Sequence, residues 1–363
     1  MKRGLRRLLF ALAGTLTGLA CGEALLARFL HQPAIDVPRG MYVADPEVGY
    51  RLAPNFHGVM RTPTFAIEVA TNELGLRGPP LRDRADGHRR LLLLGDSFVF
   101  GYAVAAGDTI GARIECELAR DFAHVEVLSA GAPGYGLAHE VFLLRRLLPD
   151  VKPDVVVVGF CCGNDVPDAL KLPRQETVFR GALVDRTVPE LYAGALGAVR
   201  FELRQVVAAT QLFRLFHQWE IRGIRGEIVK SFSSDAAPRA VLAWRIVEQT
   251  LRELQATCAQ AGAPLLVVAL PAQIQVDVAF RKNAFGDLEL TPEQLLWPQR
   301  KLGVFAAAAA LPFEDLTAAF TAVADPASLY QPRDDHYDAA GNAFAAAEIA
   351  ARLRELAWLA PPR

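Results

Sequence analysis

The 363-residue chain has no surplus of charge of either sign: 39 lysines and arginines stand against 40 aspartates and glutamates, a formal net charge of -1. Binding a run of phosphates needs a basic surplus, so composition argues against a nucleic-acid partner and for a neutral or locally charged one. Cysteine is sparse. Cys21, Cys116, Cys161, Cys162 and Cys258 include a sequence-adjacent pair and make no disulfide framework, so they are expected to be buried free thiols. Nucleotide and metal signatures are missing too. No Walker sequence occurs, Gly131, Gly134 and Gly136 stand in the wrong order for a dinucleotide fingerprint, and His139-Glu140 lacks the second histidine of a zinc-protease helix. A Gly-x-Ser-x-Gly elbow is also absent. The expected cofactor is none, and the expected metal is none. There is no internal repeat, and the alanine run at 306–310 is simply good helix material.

What the chain does have is apolar bulk, 52% of residues, enough for one large domain or one domain plus a smaller lobe. Its first 31 residues stand apart. Lys2, Arg3, Arg6 and Arg7 precede LLFALAGTLTGLACG, and the uninterrupted run Leu8 to Gly22 is 15 residues long. That is at the upper end for a signal-peptide core and short of the ~20 residues of a spanning helix. Extended to Leu30, with Glu23 and Arg28 near the far interface, it reaches across. No clean small-x-small cleavage site follows the core. Residues 1–31 are therefore expected to be a signal anchor or transmembrane segment, with secretion after cleavage as the alternative. The basic flank is expected to keep the N-terminus in the cytoplasm and to export the bulk; the expected location is a bacterial inner membrane, single-pass, with the domain periplasmic.

Residues 32–89 contain Pro33, Pro38, Pro46, Pro54, Pro63, Pro79 and Pro80 among short alternating pieces such as TFAIEVATN, and read as an irregular, strand-containing lead-in. From Arg90 the texture changes. RLLLLGD, HVEVLSA, DVVVVGF and PLLVVAL are β-rich apolar runs that end in turn residues, and DTIGARIECELARDF and AHEVFLLRRLLPDV between them carry helical spacing. Strands buried on both faces and alternating with helices predict a parallel sheet and an α/β fold. A last strand is expected near LPFEDLT and a closing helix from Ala339 to about Trp358. An insertion at 172–235 holds Phe201, Leu203, Phe213, Leu215, Phe216 and Trp219 among Arg200, Arg204, Arg214, Arg222, Arg225 and Lys230. It reads as an amphipathic packing helix with a solvated basic face, with a cap over a site or a membrane-resting surface as alternatives. A smaller insertion spans 275–300.

In an open parallel sheet the loops at the carboxyl ends of the strands share one crevice. Those ends carry Gly95-Asp96-Ser97, then Ser129 through Gly136, then Gly163-Asn164-Asp165, and before the closing helix Asp334-Asp335-His336. A serine hydroxyl attacks only when a base takes its proton, and the base needs an acid that sets its tautomer. Ser97, His336 and Asp334 supply those three parts. Attack on an ester carbonyl creates an oxyanion, for which the N–H of Ser97, the N–H of Gly134 and the amide of Asn164 are the candidate donors. Each block alone is an ordinary turn or cap; together, and in this order, they specify a site.

From about Arg90 to Leu359 the four blocks resemble the SGNH (GDSL-type) hydrolase superfamily of esterases, lipases, thioesterases and carbohydrate deacetylases, with some acyltransferases. The resemblance implies a flavodoxin-like three-layer α/β/α fold over residues 90–363, without a metal. It also implies Ser97 as nucleophile, Gly134 and Asn164 as oxyanion donors, and Asp334 with His336 completing the triad. The sequence departs from the pattern at Ser129, where asparagine is usual, at Cys162, where glycine is usual, and at Arg333, which takes the acid's usual place three residues before the histidine. Asp334 is two before it, with Asp335 as the alternative acid. Asp96 is expected to brace the turn, and Phe98 and Phe100 to pack in the core. The implied function is a serine esterase acting on acetyl or short acyl esters of an envelope glycan or lipid. Two alternatives stand beside it: a glycan O-acyltransferase using the same triad, and a non-catalytic glycan-binding or assembly protein. Nothing in the sequence sets an oligomeric state.

Overall fold

The computed structural model describes residues 2–29, 36–62, 65–84, 88–122, 124–171, 173–192, 194–208, 210–211, 234–285, 290–332 and 334–359. Two compact units result: Val37–Met60, Ala66–Arg186 and Gly226–Arg363 form one, and Met1–Asp36, Arg61–Phe65 and Thr187–Arg225 the other.

The strands in chain order are β1 Tyr42–Asp45, β2 Gly49–Leu52, β3 His57–Arg61, β4 Ala66–Ala70, β5 Arg89–Gly95, β6 Val125–Gly131, β7 Val155–Cys161, β8 Glu176–Phe179, β9 Ala182–Asp185, β10 Leu265–Leu270 and β11 Phe313–Asp315. Five of them build one parallel sheet in the order β11-β10-β7-β5-β6. Counted along the chain within that sheet the order is 5-4-3-1-2, the flavodoxin-like winding, whose direction reverses between β5 and β7. Every residue of β7 and β10 is buried, which is why their apolar runs do not alternate with polar residues.

Successive side chains point to opposite faces, so the sheet feeds two cores. Leu92, Leu94, Val156, Val158, Val267 and Ala269 pack on one face with the helices Leu137–Val151, Pro238–Gln260 and Trp297–Ala308. Leu91, Leu93, Val155, Val157, Leu266 and Val268 pack on the other with the helices Ile110–Leu118 and Ala339–Leu356. Both helices on that second face start on a side-chain cap, Thr109 for one and Asp338 for the other. The three-layer α/β/α arrangement follows. β1–β2, β3–β4 and β8–β9 are separate two-stranded sheets. Cys161, Cys162 and Cys258 are buried free thiols as expected. Cys21 and Cys116 correct that expectation: both are exposed, Cys21 on the apolar helix Lys2–Phe29 and Cys116 on the helix Ile110–Leu118, whose buried stripe is Ile110, Ile114 and Leu118.

In the smaller unit the helix Lys2–Phe29 is long and apolar enough to cross a membrane, about 42 Å at the α-helical rise. The helix Gly194–Ala208 buries Phe201 edge-on against Tyr192 and exposes Leu196, Val199, Leu203, Val206 and Val207. Phe213, Arg214, Leu215, Phe216, Trp219, Arg222, Arg225 and Lys230 lie outside the described residues.

The turn after β5 is packed backbone to backbone against the end of β6. A Cβ on Gly131 would lie 2.5 Å from the Phe100 nitrogen and 2.8 Å from the Asp96 carbonyl. Gly131→Ala is therefore expected to lower the unfolding free energy by about 1–3 kcal/mol in urea titration, the usual range for overpacking. An unchanged midpoint would show that this contact does not constrain the turn.

Candidate active site

β5 ends at Gly95, and the chain turns at once into the short helix Ser97–Phe100. Asp96 makes that turn. Its Oδ1 accepts the Phe98 N–H at 2.9 Å, so the acid caps the helix, while Gly101 closes it at φ 75°. Val99 and Phe100 are wholly buried and Phe98 nearly so. Their packing leaves the half-buried Ser97 side chain turned toward the loop that precedes the closing helix.

That loop carries the histidine. His336 Nε2 lies 2.7 Å from Ser97 Oγ, and His336 Nδ1 lies 2.5 Å from Asp334 Oδ1. An aspartate at Nδ1 selects the tautomer with the proton there and leaves Nε2 as acceptor for the serine hydroxyl. Asp334 also accepts the backbone N–H of His336 at 3.0 Å, which ties acid and base into one local turn. Two tyrosines pin the loop from below: the hydroxyls of Tyr330 and Tyr337 both donate to the Pro271 carbonyl beyond β10, at 2.9 and 3.0 Å. The rings of Phe98 and Tyr102 lie 4.9 and 4.7 Å from the imidazole and shield it. Burial works against a charged imidazole here, yet the hydrogen-bonded Asp334 carboxylate, with Asp335 and Asp96 behind it, outweighs burial and raises the His336 pKa above its ordinary value. Burial, with Asp334 adding to it, also pushes the Tyr102 hydroxyl up to about 12.

The remaining donors come from the ends of β6 and β7. Ala132-Pro133-Gly134-Tyr135 forms a type II turn, with Pro133 and Gly134 in its centre, Gly134 at φ 84° and the Tyr135 N–H on the Ala132 carbonyl at 3.2 Å. The exposed Gly134 faces the Tyr50 hydroxyl, which would lie 2.7 Å from a Cβ at that position. Asn164 follows β7 and is drawn to the serine turn: its Nδ2 donates to Asp96 Oδ2 at 2.8 Å. One of its two N–H groups remains for a ligand. The structure thus forms two hydrogen-bonded lines, Asp334–His336–Ser97 and Asn164–Asp96–Phe98, which meet where Asp96 adjoins Ser97 in the chain, and sets Gly134 on the neighbouring turn. Asp335 makes no contact with Nδ1. His139, the remnant of a zinc-like dipeptide, stacks on Tyr135 at 4.8 Å and is pushed down to about 4 by burial, so it is a neutral packing residue.

A cleft of about 830 Å³ lined by Arg84, Arg89, Lys152, Asp154 and Trp358 opens at the amino ends of the strands. It shares no residue with the serine and histidine, so volume does not mark the reacting centre in this fold.

No family model matches the chain, and no curated protein matches it. Among solved structures, that of TesA is similar: 15% identity over 74% of this chain and 99% of that one, TM-score 0.43. The lipase/acylhydrolase from Enterococcus faecalis is 16% identical over 74% of this chain and 96% of its own, TM-score 0.40. A member of the lipolytic protein G-D-S-L family from Veillonella parvula is 12% identical over 74% of this chain and 97% of its own, TM-score 0.40.

Two residues of the lead-in support the site and have no sequence signature. Tyr50 donates to the Pro133 carbonyl and Tyr135 donates back to the Tyr50 carbonyl, both at 2.8 Å, which fastens the Gly134 turn. Arg77 is buried and has no carboxylate partner among the described residues. Its guanidinium donates to the carbonyls of Phe100 (2.8 Å), Gly101 (2.5 Å), Val104 (2.7 Å) and Glu68 (3.1 Å) and lies over the Phe100 ring at 4.9 Å. Burial lowers its pKa to about 10, which still leaves it charged at neutral pH. Arg77→Ala strips the donors from a buried helix end and is expected to destabilise the protein by about 3 kcal/mol or more in urea titration, with Arg77→Lys in between. Wild-type stability in Arg77→Ala would contradict the clamp.

Proposed function

We propose that the chain is a serine esterase of the SGNH (GDSL) type that moves an acyl group from a carboxylic ester to Ser97 and then to water. The observation that carries this reading is the hydrogen-bonded line Asp334–His336–Ser97, at 2.5 and 2.7 Å, at the carboxyl end of β5 beside the point where the sheet reverses. Neutral His336 takes the Ser97 proton at Nε2 as Oγ attacks the acyl carbon. The tetrahedral oxyanion is met by the N–H groups of Ser97 and Gly134 and the free N–H of the Asn164 amide. The imidazolium, steadied by Asp334, then gives its proton to the leaving alkoxide, and the acyl-enzyme is resolved by water that the same histidine deprotonates. The helix Lys2–Phe29, read as an anchor, points to esters of the cell envelope, a glycan or a lipid, on the outer side of an inner membrane. Supporting that orientation are the four basic residues before the apolar core.

Two outcomes test the reading. On a short-chain aryl ester, Ser97→Ala should abolish turnover and Asn164→Ala should lower kcat by about 10²- to 10³-fold, the loss typical of one oxyanion donor; wild-type rates in a folded Ser97→Ala would end the proposal. Full labelling of Ser97 with turnover only in the presence of a glycan acceptor would reassign the enzyme as a transferase. Because the base must be neutral, kcat/KM should rise with pH through the raised His336 pKa, with its acid limb above the ordinary value of about 6.5. Asp334→Asn removes the group that raises it, so the limb should move to lower pH while the plateau falls by about 10²-fold or more. An unmoved limb would show that Asp334 is not the partner of His336.

A further inference from the structure

Beneath the crevice lie three carboxyls with no solvent exposure: Asp96, Glu140 and Asp165. Among the described residues no lysine or arginine pairs with any of them. Their hydrogen bonds are unequal. Asp96 accepts from Phe98 and Asn164, and Asp165 accepts the Cys161 N–H at 2.6 Å on Oδ2 alone. Neither oxygen of Glu140, nor Asp165 Oδ1, nor Asn164 Oδ1 has a donor. The locus is short of protons, not of acceptors.

Groups packed around it deepen the deficit. The end of β5 contributes Asp96, the stretch after β7 contributes Cys161, Asp165 and Asp168, and the helix Leu137–Val151 contributes Glu140 and the neutral His139. Lys171 is engaged with Asp168 at 2.9 Å. Burial raises the Asp96 pKa too, but there it is opposed by the Asn164 amide, the Phe98 N–H and the charge of an imidazolium at His336, groups that neither Glu140 nor Asp165 has. Burial first, and then the Asp96 carboxylate, drives the Glu140 pKa well above the ordinary range; Asp165 follows for the same two reasons, with Glu140 and Asp168 adding to them. A shared cation does not solve the problem, because among the described residues the acids whose ligand atoms meet within 4.8 Å are Asp334 and Asp335 with His336.

We propose that Glu140 and Asp165 stand protonated in the working protein as positioning residues, leaving Asp96 the single anion under Ser97 and fixing the Asn164 amide. The proposal rests on the esterase reading for the part played by Asn164; the protonation itself does not. Protonation removes the buried charge that no donor compensates on Glu140 or on Asp165 Oδ1, whereas a second anion beside Asp96 would favour a proton on Asp96 and weaken its hold on the Asn164 amide, because a neutral carboxyl is the poorer acceptor.

The test uses the full chain in detergent. Wild type minus Glu140→Gln infrared difference spectra at about pH 7 should show a positive protonated-carboxyl C=O band, and wild type minus Asp165→Asn a second one; positive ionised-carboxylate bands instead overturn the proposal. Stability carries the same sign. A carboxyl with a raised folded pKa contributes in full below its unfolded pKa of about 4.3 and loses that contribution as pH rises through the folded value, so Glu140→Gln should flatten the alkaline fall in Tm. Glu140→Met, which keeps bulk but no donor, should lower kcat about tenfold at unchanged KM, and Glu140→Gln should restore most of it. A folded Glu140→Met with wild-type kcat removes the positioning role. Loss of the protonated band in an enzyme without ester turnover supports the protonation and overturns the esterase reading instead.

Discussion

The Asp96 carboxylate is the point through which the crevice is held together. One of its oxygens caps the turn that presents Ser97, and the other holds the amide of Asn164. The Asp96 backbone, in turn, sits against Gly131 at the end of β6. Three consecutive strands of the sheet therefore converge on one buried residue, which is possible because β5 lies between β6 and β7. Intramolecular hydrogen bonds contribute about 0.5–1.5 kcal/mol each, so the two on this buried carboxyl help to hold the loops as a single site. It also gives the acid before the serine a structural part: Asp96 organises the neighbouring turn and Asn164, while His336 is hydrogen-bonded to a different carboxylate, Asp334.

Around that junction the remaining loops are fixed from outside the sheet. Tyr330 and Tyr337 tie the histidine loop to Pro271, and Arg77 and Tyr50 tie the serine and glycine turns to the lead-in. Preorganisation of this kind is what a serine nucleophile requires, since each donor must already be aimed before charge develops. Tyr50 and Arg77 of the lead-in are thus structural parts of the crevice, in the same compact unit as the sheet.

Much of this was legible in the residues. The apolar runs at 90–94, 154–160 and 264–270 mark doubly buried strands, and the turn residues after them mark where the crevice lies. Ser97, Asn164 and His336 stand out because each interrupts such a run or opens a helix with a polar side chain. The choice between Asp334 and Asp335 was not legible, since both lie within reach in sequence and only the local turn, with Asp334 on the His336 N–H, separates them. Arg77 and Tyr50 gave no signal because they act on main-chain carbonyls far along the chain, which impose no residue pattern of their own. Glu140 was hidden for another reason: an acid in the first turn of an amphipathic helix ordinarily faces water, and only the sheet order turns this one inward. Cys116 erred in the opposite direction, an apolar-looking residue on the outer face of its helix.

The apolar helix Lys2–Phe29 and the exposed apolar face of Gly194–Ala208 belong to the smaller unit, and their bearing on substrate delivery is separable from the chemistry of Ser97. If Asp334, His336 and Ser97 act as one nucleophile, a fluorophosphonate probe applied to the full-length protein, followed by peptide mass spectrometry, should find a single adduct on Ser97 that is lost in His336→Ala. An adduct on another serine, or equal labelling of Ser97 without the histidine, would contradict it.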